Sequence, residues 1–149
     1  LVQRIENVYG RWLSKSTPEV VSRIDATTEQ LDRIRNGLCA VVNEPGGTAW
    51  WRRSRKTKVC GKTGTTQVIR LGKKRHSQLE VPYFHRDHAW FAGFAPADNP
   101  QIVVAVIHEH GEHGSSGAAP VVVKTIDAWL ELTEKRRAGD WPMRWVVQK

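Results

Sequence analysis

The residues best equipped for chemistry lie in one short run, Cys60-Gly61-Lys62-Thr63-Gly64-Thr65-Thr66-Gln67-Val68, with Val59 ahead of it and Ile69 behind. Val, Thr and Ile favour extended backbone, and glycine inside a strand usually marks a close approach by a ligand or another stretch of chain. Side chains alternate along a strand, so Thr63 and Thr65 are expected on one face, with Gly64 leaving backbone uncovered between them. A cation, two hydroxyls and accessible N–H groups suit an anionic, amide-bearing ligand. The ending Gly61-Lys62-Thr63 also occurs in phosphate-binding P-loops, but those need a glycine five residues before the last one. Position 56 is Lys, and the residues after Thr63 have the composition of a strand, not a helix. A Thr-rich edge strand carrying a solvated lysine is the plain alternative.

Other constellations carry less. In His108-Glu109-His110-Gly111-Glu112-His113 the spacing H-E-x-x-H fails, because position 112 is Glu where His is required. Zinc also needs a firm ligand geometry that a glycine-rich loop does not supply by itself. The run is therefore read as a surface loop, and no metal or cofactor is expected. His76, His85 and His88 have no compelling spacing, and the pairs Asp25/Glu29 and Glu131/Glu134 fit exposed helix faces. Cys39 falls in an apolar helical pattern and Cys60 in the central run, so two buried thiols are expected. Two cysteines do not identify a redox compartment.

The chain has 149 residues, enough for one domain, and a formal net charge of +8. Basic residues cluster at Arg52, Arg53, Arg55, Lys56 and Lys58, at Lys73, Lys74 and Arg75, and at Lys135, Arg136 and Arg137. Such clusters mark nucleic-acid or polyanion contacts in some proteins and solvated loops or helix ends in more of them. Trp50 and Trp51 beside the first cluster are of a type that stacks on bases. No nucleic-acid-binding module is recognisable, so no nucleic-acid partner is expected.

Several elements must position the central run. Leu1, Val2, Ile5 and Val8 have helix-like spacing that stops at Gly10, and Ser16-Thr17-Pro18-Glu19 has the form of a helix start leading to Val20, Val21 and Ile24. Thr27-Thr28-Glu29-Gln30 repeats that capping device. Leu31, Ile34, Leu38, Val41 and Val42 then form a helical stripe ended by Asn43-Glu44-Pro45-Gly46-Gly47. The expected layout is a helical segment over 1–45, a polar loop over 46–58, strands and a final helix over 59–132, and a basic tail over 133–149. Residues 70–87 read as an irregular insertion. Residues 89–95 and 102–107 read as an antiparallel hairpin around the turn 96–100, the second strand apolar enough to be buried on both faces. After the glycine-rich stretch 111–117, Pro120 opens a helix with Val122, Ile126, Trp129 and Leu130 on one stripe.

The run Gly61-Lys62-Thr63-Gly64-Thr65-Thr66-Gln67-Val68 resembles the K-T-G element of serine β-lactamases and penicillin-binding proteins. Two further stretches match class B penicillin-binding proteins in order. They are Ile34 to Leu38 leading to Val41-Val42-Asn43-Glu44-Pro45-Gly46-Gly47-Thr48-Ala49, and His88 to Pro96 leading to Gln101-Ile102-Val103-Val104-Ala105-Val106. The similarity spans most of residues 1–132 and is nearest to the penicillin-binding protein 2 group.

The resemblance implies an incomplete α+β transpeptidase fold. It has helices first, then three antiparallel strands of a five-stranded sheet, then a C-terminal helix packed on the sheet. It also implies a peptidoglycan D,D-transpeptidase that works through an acyl-serine and binds β-lactams. Its partners would be stem peptides, β-lactams and cell-wall elongation proteins, at the periplasmic face of a bacterial inner membrane. Lys62 would supply positive charge and bond a serine of an S-x-N element. Thr63 and Thr65 would hold the substrate carboxylate through their hydroxyls, and Gly64 would keep the strand open to the ligand. The Thr65 N–H would be half of an oxyanion hole, worth ~3 kcal/mol per donor in acyl-transfer enzymes. Thr66 departs from the alanine common at that position.

No serine among Ser14, Ser16, Ser22, Ser54, Ser77, Ser115 and Ser116 has Lys three residues later or Asn two residues later. The chain starts at Leu1 and has no signal segment or long apolar run. The expectation is a C-terminal piece of a longer, membrane-anchored enzyme, inactive by itself. The alternatives are a non-catalytic cell-wall-binding or scaffold module and, behind it, a basic nucleic-acid-binding domain.

Overall fold

The computed structural model describes residues 4–17, 19–69 and 81–139. Strands β1 (Arg4–Glu6) and β2 (Trp12–Lys15) form an antiparallel hairpin. Then come helix α1 (Thr28–Asn43), strand β3 (Cys60–Thr66), the hairpin β4 (His88–Ala95) and β5 (Ile102–His108), and helix α2 (Ala119–Arg137). The main sheet is antiparallel, in the order β3-β4-β5.

The helix expected at the start is therefore a hairpin. Asn7 makes its turn: the Asn7 Oδ1 accepts from the N–H groups of Tyr9 and Arg11 at 3.0 and 2.9 Å. Gly10 supplies the left-handed backbone, at φ 75°. The second expected helix, opened at Ser16, does not form. Residues 19–27 are irregular, and Val20, Val21 and Ile24 are exposed. A short helix is marginal unless an apolar face packs against something, and these residues meet no core. Among the described residues of the expected helical segment over 1–45, only α1 is helical.

α1 begins as its capping sequence dictates. Thr27 Oγ1 accepts from the Gln30 N–H at 3.3 Å, and Gln30 Oε1 accepts from the Thr27 N–H at 2.9 Å. Its apolar stripe is used only towards the end: Cys39 and Val42 are buried, whereas Leu31 and Ile34 are exposed. The expected glycine-rich loop before α2 contains a single π turn over Gly114–Ala118, and Pro120 lies in α2's first turn. α2 buries Ala119, Val122, Val123 and Ile126.

β4 has strict alternation, with Ala89, Phe91 and Ala95 fully buried on the side of Val122 and Ile126 and Trp90 and Ala92 exposed on the other. β5 is not buried on both faces as expected. Ile102, Val104 and Val106 pack on the core, and Val103 is 74% exposed. The core thus fills one side of the sheet, between β4 and α2, with Val42, Ala49 and Val59 closing its β3 end. Among the described residues no helix is long and apolar enough to cross a membrane. The basic stretch 73–75, His76 and the expected tail from 140 onward lie outside the described residues.

Candidate active site

β3 pairs with β4 along its whole length, Gly61 with Gly93, Thr63 with Phe91 and Thr65 with Ala89. Cross-strand partners share a face, so Thr63 and Thr65 lie on the same side, as alternation requires. Lys62 and Gly64 take the opposite side, opposite Ala92 and Trp90. That second side is covered by α1 only near Cys60 and Phe94, and is open beyond. Lys62 is exposed, and its Nζ donates to the Thr63 carbonyl at 2.8 Å. Lys62, Thr63, Gly64 and Thr65 are thus contiguous at an accessible part of the sheet.

The backbone around Gly64 is closely approached from within the protein, and the glycine that permits it is Gly114. A Cβ added at Gly64 meets Trp90 Cβ at 3.2 Å, while one added at Gly114 falls 2.6 Å from Gly64 O and 2.4 Å from Trp90 O. The π turn before α2 therefore rests directly on the backbone of this part of the strand. The close approach that glycine permits here is made by the chain itself.

Three attachments hold β3 to the end of α1. Cys39 and Cys60 form a disulfide, their Cα atoms 4.0 Å apart, where two buried thiols were expected. The helical position of Cys39 and the strand position of Cys60 each favour burial. Only the crossing of α1 over β3 makes the two side chains meet. Asn43 Nδ2 donates to Cys39 O at 2.8 Å and to Val59 O at 2.7 Å, serving a helix-end carbonyl and the approach to β3 with one amide. Beyond the helix, Gly47 packs so closely on it that an added Cβ would lie 2.4 Å from Val41 O. Ala49 follows, buried, its N–H donating to Val41 O at 3.0 Å. Between them Thr48 reaches Thr63, Oγ1 to Oγ1 3.0 Å. Asn43, Thr48 and the Cys39 link were not identified as site-building residues from sequence. Two signals fall here in the sequence: 43–47 reads as a helix stop, and 41–49 is one of the stretches that resemble class B penicillin-binding proteins.

The rest of the polar loop is fixed to α2. Ser54 Oγ donates to Asp127 Oδ1 at 2.5 Å, and Lys56 pairs with Glu131. Trp50 is covered by the Arg53 guanidinium at 3.8 Å, so one of its faces is already occupied by a cation.

The histidine-rich loop does not act as one cluster. His108 Nδ1 lies 3.1 Å from Gly117 O, the His110 N–H donates to His88 Nδ1 at 2.9 Å, and Glu112 pairs with Arg86 at 3.2 Å. It is docked on residues 83–88 and half-buried at His110 and Glu112, rather than a plain surface loop. Among the described residues no three His, Cys, Asp or Glu side chains are grouped to hold a metal.

The family profile of the penicillin-binding protein transpeptidase domain matches residues 1–127. The peptidoglycan D,D-transpeptidase MrdA of Acinetobacter baumannii is 36% identical over 123 residues, covering 82% of this chain and 18% of that protein. The solved structure of Pseudomonas aeruginosa PBP2 in complex with WCK 5153 aligns with TM-score 0.58 at 43% identity, over 76% of this chain and 22% of that one. A complex between PBP2 and MreC from Helicobacter pylori aligns with TM-score 0.60 at 33% identity, over 73% of this chain and 19% of that one. The chain spans about a fifth of the length of these relatives. The resemblance to the penicillin-binding protein 2 group and the α+β class expected from sequence both agree with these alignments. This chain belongs to the family of penicillin-binding protein transpeptidase domains.

Proposed function

We propose that β3 is the substrate-binding wall of a peptidoglycan D,D-transpeptidase whose nucleophilic serine is supplied from sequence outside these residues. The observation that carries this reading is the Lys62-Thr63-Gly64-Thr65 run on β3, the end strand of the β3-β4-β5 sheet, so that Lys62 from one face and Thr63 and Thr65 from the other all flank the edge that β4 does not occupy. In the complete enzyme the serine hydroxyl attacks the penultimate D-Ala carbonyl of a stem peptide and terminal D-Ala leaves. The amine of a neighbouring stem peptide then attacks the acyl-serine, forming the cross-link and releasing the serine. Lys62 supplies positive charge beside the nucleophile. The Thr63 and Thr65 hydroxyls hold the terminal carboxylate, and the Thr65 N–H is one oxyanion donor. A β-lactam enters as a mimic of the same peptide and stops at the acyl-serine.

The open side of the sheet beside Lys62 exposes Trp90, Ala92, Val103 and Ile107, an apolar surface against which serine-bearing elements would pack. The complete protein works at the periplasmic face of a bacterial inner membrane beside other cell-wall elongation proteins; the Helicobacter pylori PBP2 solved in complex with MreC supports the existence of a protein partner. No cofactor is required.

Labelling with a fluorescent penicillin tests the reading. The complete transpeptidase should become covalently labelled, the Lys62→Ala variant at least about a hundredfold more slowly, and this chain by itself not at all. Label on the isolated chain, or undiminished labelling of Lys62→Ala, overturns it.

A further inference from the structure

Thr48 stands outside the K-T-G run, yet its hydroxyl is 3.0 Å from that of Thr63, and either oxygen can be the donor. We infer that Thr48 is a positioning residue that orients the Thr63 hydroxyl towards a bound carboxylate. The inference rests on the proposed role of Thr63.

A threonine hydroxyl has one hydrogen to give and two lone pairs to receive. If Thr63 spends its hydrogen on Thr48, it presents only lone pairs to an incoming anion, which repel it. If Thr48 donates instead, the Thr63 hydrogen is free and its oxygen is polarised by the bond it accepts. A carboxylate only accepts, so its arrival selects the second arrangement, Thr48 to Thr63 to carboxylate. In such a chain each hydrogen bond strengthens the next.

The surroundings hold Thr48 ready for this. Gly47 on one side has no room to move towards the helix end, and Ala49 on the other is 1% exposed and bonded to Val41 O. The disulfide and Asn43 bind the same helix end to the start of β3, so the backbone beneath Thr48 and that beneath Thr63 belong to one fastened unit. Lys62 Nζ, bonded to the Thr63 carbonyl, restrains residue 63 further.

The test measures acylation rate constants of the complete transpeptidase with a penicillin and with its methyl ester, which lacks the charged carboxylate. Thr48→Val should slow acylation by the acid roughly three- to tenfold, the size of one hydrogen bond, and leave the ester rate unchanged. Thr48→Ser, which keeps the hydroxyl, should stay near wild type. Adding Thr48→Val to Thr63→Val should cost nothing more, since the partner is already gone. Equal slowing of acid and ester without rescue by serine reduces Thr48 to a packing role and overturns the inference. So does a neutral Thr48→Val where Thr63→Val is slow, and in that case the reading of Thr63 survives. A neutral Thr63→Val overturns the carboxylate role of Thr63, and the inference with it.

Discussion

α1 and α2 attach to the same sheet by different physics. α2 lays four buried side chains, Ala119, Val122, Val123 and Ile126, against the core side of β4. α1 buries only Cys39 and Val42 and relies on a disulfide, one bifunctional amide and the hydroxyl of the residue that follows its end loop. Apolar packing spreads its energy over an area and tolerates small sliding. Covalent and hydrogen-bonded links fix particular atoms and leave the rest of the surface free. The α2 side therefore stabilises the sheet, while the α1 side sets the position of the strand that carries Lys62 and leaves its neighbourhood open.

The largest test of that contrast is Ile126→Ala, which empties a fully buried site against the sheet. It should destabilise the transpeptidase domain by about 4 kcal/mol in denaturant unfolding. The rate of penicillin acylation per folded molecule should change little. A rate that falls in parallel with stability removes the distinction between the two helices.

Next is the double change Cys39→Ala with Cys60→Ala, or reduction of the disulfide. Opening a link across 21 residues of sequence should cost about 3 kcal/mol. Here the acylation rate should fall as well, because the link adjoins Gly61 and Lys62. Free thiols detected in the unreduced, unfolded protein would contradict the link itself.

The smallest effect should come from Gly37→Ala on the exposed surface of α1, where an added Cβ meets nothing within 4 Å. It should raise the stability of α1 by up to about 1 kcal/mol, read as a higher melting temperature. No change in acylation should follow, because the fastening of α1 to β3, rather than its helicity, positions the site.

What was legible in the sequence is what depends on near neighbours. The capping box at Thr27 and Gln30 needs residues three apart, and it forms. The β4–β5 hairpin needs a turn and two apolar runs, and residues 96–101 close it with the Gln101 N–H on Ala95 O. Alternation alone puts Thr63 and Thr65 on one face. The two errors at the start have separate causes: the spacing of Leu1, Val2, Ile5 and Val8 covers too few turns to outweigh Asn7 and Gly10, which make a hairpin. The apolar residues after Ser16 have nothing to pack on.

By itself the sequence determined the chemistry available to this protein. Lys62, Thr63, Gly64 and Thr65 are consecutive, and a strand orders them with no help from afar. Only the tertiary structure decided what holds them. The Cys39–Cys60 link spans 21 positions, the Asn43–Val59 bond 16 and the Thr48–Thr63 bond 15. Each depends on α1 ending beside β3, and no local periodicity or turn signal encodes where one packed element ends against another.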